Sequence, residues 1–199
     1  DLMQYDYQIS IINNHSEFNA KVDRPNLRVL HNQCRVDFST GHLSRDWNFA
    51  LIDGFQNLNK PDCDIVVACQ NDTVFYKNWA SYIVKLHEED GYTFLTFGAG
   101  DNMMSWTPEG VKSIGMWDER FCTIQYQEAD YFLRAKKYND NKSSINDSHH
   151  NRLHNPVENC VVNVRYSCHE DNFDAHNKSK GHRGLMNIMY NKKWPSQHK

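Results

Sequence analysis

The sequence lacks long apolar runs and any marked excess of charge of one sign. The longest apolar runs, such as Ile65 to Cys69, are far too short to cross a bilayer, so we expect no membrane insertion. Lysine and arginine number 22 against 25 aspartate and glutamate residues, a formal net charge of −3. The basic residues are scattered, so the electrostatic footprint of a nucleic-acid-binding protein is missing and no nucleic-acid partner is expected.

We also expect neither a framework of paired cysteines nor a signal peptide. The six cysteines include no CxxC pair, which favours reduced thiols in a cytosol-like compartment. No positively charged segment followed by an apolar stretch marks a signal peptide. These absences predict a soluble, cytoplasmic protein. The length of 199 residues is typical of one domain, here 1–199.

Strand and helix patterns alternate through the first two thirds of the chain. Short β-branched runs predict strands, and apolar residues at helical spacing predict the helices between them. The predicted strands are Tyr7–Asn13, Leu27–His31, Asp64–Cys69, Tyr92–Phe97 and Val161–Tyr166. Helices are predicted from Ser44, from Trp79 and from the cap pair Thr107-Pro108, and a fourth ends near Tyr138. The alternation favours an α/β sandwich, with a mainly parallel central sheet flanked by helices.

Two later segments lack this alternation. Residues 139–155 are polar, rich in Asn, Ser and His, and without periodicity, which predicts a long exposed loop. Residues 169–199 form a basic, histidine-containing segment that we interpret as a C-terminal tail.

Polar side chains follow three of the predicted strands, as Asn13-Asn14-His15, as Gln70-Asn71-Asp72, and as Asp101 after Gly98-Ala99-Gly100. Ligands of α/β sheets bind outside the carboxyl ends of the strands. A lone carboxylate at such a position suits Mg²⁺ or Mn²⁺ that also binds diphosphate oxygens, and Asp72 fits this role. An ordinary turn beginning at Asp72 explains the same residues equally well.

Two further groups allow both a functional and a structural interpretation. The acidic run Gln127-Glu128-Ala129-Asp130 is predicted to open a helix, where acids complement the helix dipole. Alternatively, Glu128 acts as a general base while Asp130 points elsewhere and holds the turn. Trp106, with Met103 and Met104, forms either an apolar platform for a sugar or part of the core.

Several segments resemble family 2 glycosyltransferases, and most of all their rhamnosyltransferase-like members. The specific part is GMWDERF at Gly115–Phe121 followed by QEADYFLR at Gln127–Arg134, which is similar to the family run G-x-[FW]-D-E-x-[FL] … E-D-x-D-x-x-x-R. Weaker matches are Gln70-Asn71-Asp72, Asn48 within Arg45–Ala50, and Lys193-Trp194. The chain also looks like chlorella-virus glycosyltransferase domains implicated in glycosylating the major capsid protein.

The resemblance implies a single-domain GT-A fold and an inverting transfer of a sugar, of rhamnose or glucose type, from a UDP- or dTDP-sugar to a hydroxyl of a glycan or glycoprotein. It makes Glu128 the general base, and it makes Asp72 and His169 the ligands of Mn²⁺ or Mg²⁺. The implied nucleotide-sugar-binding residues are Asn13, Asn32, Arg45, Asn48, Gln70, Asn71 and Asp72. The residues expected near the sugar or acceptor are Gly100, Asp101, Trp106 and Asp130.

Two departures from the family pattern keep other functions open. Gln70 replaces the first acid of the D-x-D motif, and Gln127-Glu128 replaces an E-D pair. A non-catalytic module of the same fold that binds a nucleotide sugar or a glycan is the main alternative. A nucleotidyltransferase is disfavoured because no glycine-rich phosphate loop follows the first strand. A coat or scaffold protein would not require polar residues concentrated at strand ends.

Overall fold

The computed structural model describes residues 2–13, 23–31, 43–70, 73–75, 77–97, 103–121, 123–145, 162–164 and 183–195. The chain forms two compact units, Asp1–Phe38 and Ser39–Lys199.

The first unit contains a short 3₁₀ helix, Leu2–Gln4, and two strands, β1 (Ile9–Asn13) and β2 (Leu27–His31). The strands pair in parallel, with Ile9 opposite Leu27 and Asn13 opposite His31. Both were predicted, and β2 has the predicted bounds. At the end of the pair the Asn13 amide nitrogen lies 3.3 Å from Nδ1 of His31.

The second unit alternates helices and strands. Its described helices are α1 (Leu43–Phe55), α2 (Trp79–Glu88), α3 (Pro108–Ile114), α4 (Ile124–Tyr138) and α5 (Arg183–Lys193). Its described strands are β3 (Val66–Cys69), β4 (Thr73–Phe75), β5 (Phe94–Phe97), β6 (Met103–Trp106), β7 (Ser143–Ser144) and β8 (Val162–Val164). The mixed α/β class is therefore confirmed.

The main sheet has the order β3-β6-β5-β7, and its strand directions differ from the prediction. β6 runs antiparallel to both β3 and β5, whereas β7 pairs in parallel with β5. Only five residues, 98–102, lie between β5 and β6 in the sequence, whereas a parallel crossover needs a dozen or more. β6 therefore has to run antiparallel to β5. A further antiparallel pair joins β4 to β8.

Both faces of the main sheet are buried. Alternate residues of β5 point to opposite sides, so Phe94 joins one apolar cluster and Leu95 joins the other. Helices α1, α3 and α4 cover the first face and α2 covers the second. The sheet is thus flanked by helices, as predicted, and every residue of β5 and β6 is buried.

Close packing and a local cap place α3 against the sheet. Thr107 caps the helix by accepting a hydrogen bond from the backbone N–H of Gly110, as the Thr-Pro pair predicts. A Cβ atom added to Gly110 would overlap the carbonyl oxygen of Thr93, so the helix lies directly on the start of β5. The C-terminal end of α3 leads into the segment that resembles the glycosyltransferase motif.

Three boundaries differ from the predictions. α5 occupies part of the segment interpreted as a tail, and β7 lies within the predicted loop 139–155. The buried Asn139 holds this second region in place, because its amide accepts a hydrogen bond from Thr93 and donates one to Ser143. α4 begins at Ile124, so the acidic run lies in its second turn and its first turn contains no acid.

Candidate catalytic site

Four segments that carry the family resemblance, around Asn48, in Gly115–Phe121, in Gln127–Arg134 and at Lys193-Trp194, come together in the second unit. They are joined by hydrogen bonds and ion pairs among Asn48, Trp117, Asp118, Phe121, Gln127, Asp130, Arg134, Lys193 and Trp194, which we call the motif network. Its members come from α1, the segment after α3, α4 and the end of α5. Partners up to 75 residues apart in sequence are in contact.

Asn48 fixes the segment that follows α3. Its side-chain oxygen accepts a hydrogen bond of 2.7 Å from the backbone N–H of Trp117, and its amide nitrogen donates to the Trp117 carbonyl at 3.0 Å. The same nitrogen donates to Oε1 of Glu119 at 2.8 Å. Asn48 is only 6% exposed, so its hydrogen-bonding capacity serves the protein rather than a nucleotide. The nucleotide contact expected of Asn48 therefore stays a prediction, and its observed role is to hold the segment after α3.

Gly115 and Arg134 join the end of α3 to α4. Gly115 has φ = 84°, a left-handed conformation that side chains disfavour, and it ends the helix. Arg134 donates from Nη1 to the carbonyl oxygen of Ile114 at 2.7 Å. It also donates from Nε to Oδ2 of Asp130 at 3.0 Å. The motif therefore places Gly115 and Arg134 at the two sides of the contact between α3 and α4.

Asp130 lies at the centre of the network and has no exposed surface. Its Oδ1 accepts from the Trp194 indole N–H at 2.9 Å and lies 2.7 Å from Nζ of Lys193. Its Oδ2 pairs with the Arg134 guanidinium at 2.9 Å. These contacts occupy both carboxylate oxygens, so the observed role of Asp130 is in internal ion pairs, and its expected place near the acceptor stays a prediction.

Asp118 is the second acid of the network. Arg120 pairs with both of its oxygens, at 2.8 and 2.6 Å, and Nζ of Lys193 lies 2.8 Å away. Hydrogen bonds from Arg120 first, and then from Lys193, hold the pKa of the Asp118 carboxyl well below its usual range despite partial burial. Lys193 is thus shared between Asp118 and Asp130.

Glu128 lies on α4 beside these anchors and is partly exposed. The preceding residue, Gln127, is buried and donates to the carbonyl oxygen of Phe121 at 2.8 Å. Because the first turn of α4 lies upstream, the helix dipole does not account for an acid at position 128. Glu128 is therefore held on a fixed helix with part of its side chain accessible.

Glu119 is a carboxylate that the motif comparison did not single out as a site residue. It is exposed, yet the buried amide of Asn48 orients its Oε1. Glu119 and Glu128 are therefore two acids with accessible surface beside the motif network. The sequence signal that could have identified Glu119 is the Asp-Glu pair within Gly115–Phe121.

Trp106 belongs to the core. It has no exposed surface, its ring stacks 5.5 Å from that of Phe94, and its indole N–H donates to the Tyr131 hydroxyl at 3.0 Å. A side chain without accessible surface cannot stack on a sugar. Of its two predicted roles, Trp106 therefore has the one in the core and not the one at the acceptor site.

The remaining predicted site residues are only partly described. Gln70 directly follows β3, as expected, and is partly buried. Arg45 is also partly buried, and its Nη2 atom has no hydrogen-bond partner among the described residues. Asn13 belongs to the first unit. The predicted residues outside the described part of the chain are Asn32, Asn71, Asp72, Gly100, Asp101 and His169.

The described residues include no group of three or more His, Cys, Asp or Glu side chains that could hold a metal ion. Both predicted ligands, Asp72 and His169, lie outside them. In the same described part of the chain, no helix has the length and apolar character needed to span a bilayer.

No protein-family model, curated protein or solved structure matches the chain.

Proposed function

We propose that the chain is a metal-dependent, inverting glycosyltransferase of GT-A type that moves a sugar from a UDP- or dTDP-sugar to a hydroxyl of a glycan or glycoprotein. The observation that supports it best is the arrangement around Glu128. The motif residues Gln127, Asp130 and Arg134 make internal contacts that hold α4, and Glu128 lies on the same helix with part of its surface accessible. The family resemblance makes this residue the general base.

The proposed chemistry is a single displacement. Glu128 accepts the proton of the acceptor hydroxyl while that oxygen bonds to the anomeric carbon. The bond between the anomeric carbon and the diphosphate oxygen breaks, and its electron pair leaves with the diphosphate. Attack from the face opposite the leaving group inverts the anomeric centre. General-base assistance of this kind typically contributes about 10²–10⁴-fold in rate.

Mn²⁺ or Mg²⁺ would be held by Asp72 and His169, as the resemblance implies. When bound, such an ion neutralises the charge that develops on the leaving diphosphate. Gln70, at the end of β3, is an amide where the family has an acid, so the protein supplies less negative charge to a cation here.

The substitution Glu128→Gln tests the proposal. It removes the base and preserves the shape of the side chain, so turnover should fall by about 10² or more while donor affinity stays constant. Glu88→Gln, at an exposed position on α2, is the matched control and should retain full activity. Donors are first selected by thermal shift with and without Mn²⁺, since a ligand at a hundred times its dissociation constant adds about 2.7 kcal/mol of stability. If the Glu128→Gln variant has the same turnover as the wild-type protein, Glu128 is not the general base.

A non-catalytic nucleotide-sugar or glycan-binding module is the second candidate, and Gln70 is the residue that favours it. This candidate predicts a thermal shift with a donor but no transfer or hydrolysis over hours. Loss of the Mn²⁺-dependent part of donor binding in Asp72→Ala, measured by calorimetry, would support the metal assignment under either function. Equal binding in this variant would place the ion elsewhere or make it unnecessary.

A further inference from the structure

The C-terminal end of α5 is fixed to α4 by Lys193 and Trp194, which we call the α5 anchor. Nζ of Lys193 lies between two acids, 2.8 Å from Oδ2 of Asp118 and 2.7 Å from Oδ1 of Asp130. The Trp194 indole donates to the same Oδ1 at 2.9 Å and is 9% exposed. One basic and one aromatic residue therefore connect α5 both to α4 and to the segment after α3.

Aromatic packing surrounds these polar contacts. Nζ of Lys193 lies 5.4 Å from the ring centre of Phe121, and the Tyr190 ring packs against those of Phe121 and Tyr126 at 6.4 and 5.7 Å. On the other side, the ammonium group of Lys137 lies 4.6 Å above the Trp194 ring. The side chains of Lys193 and Trp194 are thus held by their neighbours. An ion pair made by a side chain that is already held costs less conformational entropy than one between mobile surface side chains.

The anchor acts on the rotation of α4 about its own axis. A helix turns by about 100° per residue, so Gln127, Asp130 and Arg134 share one side of α4, and Glu128 projects roughly 130° away from the middle of that side. Together with the buried core residues of α4, the contacts of Gln127 and Asp130 therefore contribute to the direction in which Glu128 points. Of the charged groups that hold Asp130, Arg134 belongs to α4 itself and moves with it, whereas Lys193 belongs to another helix.

We propose that Lys193 and Trp194 are positioning residues for Glu128, acting through Asp130. The inference rests on the proposed function, because Glu128 is the residue that would touch the reacting hydroxyl. Without the ammonium group, Asp118 keeps Arg120 and Asp130 keeps Arg134, so the two acids remain paired. What is lost is the shared cation that links them, one of several contacts that hold α4, the others being those of Gln127, Arg134 and Trp194.

The test compares Lys193→Met, Lys193→Arg and Lys192→Met in the full chain. Lys193→Met keeps the length and apolar stem of the side chain, Lys193→Arg restores the charge, and Lys192→Met removes the neighbouring exposed charge on the same helix as a control. Steady-state kcat and donor KM are measured well below the unfolding temperature of each variant. Amide hydrogen exchange of residues 117–121 and 124–131 is followed in parallel.

Lys193→Met should lower kcat by roughly ten- to a hundredfold with donor KM within about twofold, because small displacements of a catalytic group have effects of this size. Lys193→Arg should recover most of this loss, and Lys192→Met should show none. Exchange in 124–131 should accelerate in Lys193→Met alone. Unchanged kcat together with unchanged exchange would overturn the inference, as would an equal loss in Lys193→Arg and Lys193→Met.

If the wild-type chain transfers no sugar, the proposed function fails, and the exchange measurement still tests the anchor independently. Unchanged exchange in Lys193→Met would then show that Lys193 does not hold α4.

Discussion

Replacing Asn48 by alanine should destabilise the second unit strongly, although the residue stands where the family resemblance expects a nucleotide contact. The substitution removes three hydrogen bonds: two to the backbone of Trp117 and one to Glu119. The Trp117 N–H and carbonyl are buried and lose their partners, at about 1–3 kcal/mol each. We therefore expect the free energy of unfolding to fall by about 3 kcal/mol. Glu119→Ala, which removes the exposed partner alone, should cost about 1 kcal/mol or less.

Urea unfolding followed by both tryptophan fluorescence and far-ultraviolet circular dichroism measures the difference. With a slope of about 1–3 kcal/mol per molar urea, Asn48→Ala should lower the midpoint by about 1 M or more at unchanged slope. Trp117 lies in the affected segment and packs 4.1 Å from the Tyr131 ring, so its emission should report the change. A midpoint shift no larger than that of Glu119→Ala, combined with weaker donor binding, would refute the structural role and restore the nucleotide contact.

Two further variants test other buried groups. Asp130→Ala should lower the free energy of unfolding by roughly 3–5 kcal/mol in thermal melts, because Arg134 loses a buried partner, whereas an acceptor-binding role would weaken acceptor affinity at constant stability. His87 lies between the Tyr92 carbonyl, 2.7 Å from Nδ1, and the Ser105 hydroxyl, 2.8 Å from Nε2, and burial lowers its pKa. Below pH 6.5 His87 is protonated in the unfolded chain but stays neutral in the folded chain. The free energy of unfolding should therefore fall as the pH falls, by at most about 1.4 kcal/mol per pH unit. His87→Gln should flatten this dependence, and parallel pH profiles of the two proteins would exclude His87 as its source.

Local signals in the sequence were enough to predict most described elements. β-branched runs located β1, β2, β3 and β5, and Thr107-Pro108 located the start of α3, because caps and strand patterns depend on neighbouring residues. Strand direction was not predictable from these patterns, since strands buried on both faces look alike whether they are parallel or antiparallel. β6 was not predicted as a strand, so the short connection from β5 that explains its direction could not be used.

The site was harder to predict because its residues find their partners far along the chain. An acid such as Asp130 has the same appearance in sequence whether it binds a ligand or an arginine, and its contact with Trp194 spans 64 positions. α5 was missed for a related reason. Leu185 and Ile188 are 55% and 66% exposed, so the helix shows no apolar face that is clearly directed inward. The resemblance located the motif segments, but it did not separate the buried residues that hold them together from the acids that keep accessible surface.

The distance along the chain between α4 and α5 also bears on the order in which the protein folds. Closing a long loop has an entropic cost that must be met before distant contacts form. Arg134, four residues from Asp130, can pair with it early, whereas Lys193 and Trp194 must wait until α5 has docked. Interactions that form after the transition state slow unfolding without accelerating folding. We therefore expect the α5 anchor to slow unfolding and so to lengthen the lifetime of the folded protein. The rate of folding should stay nearly the same.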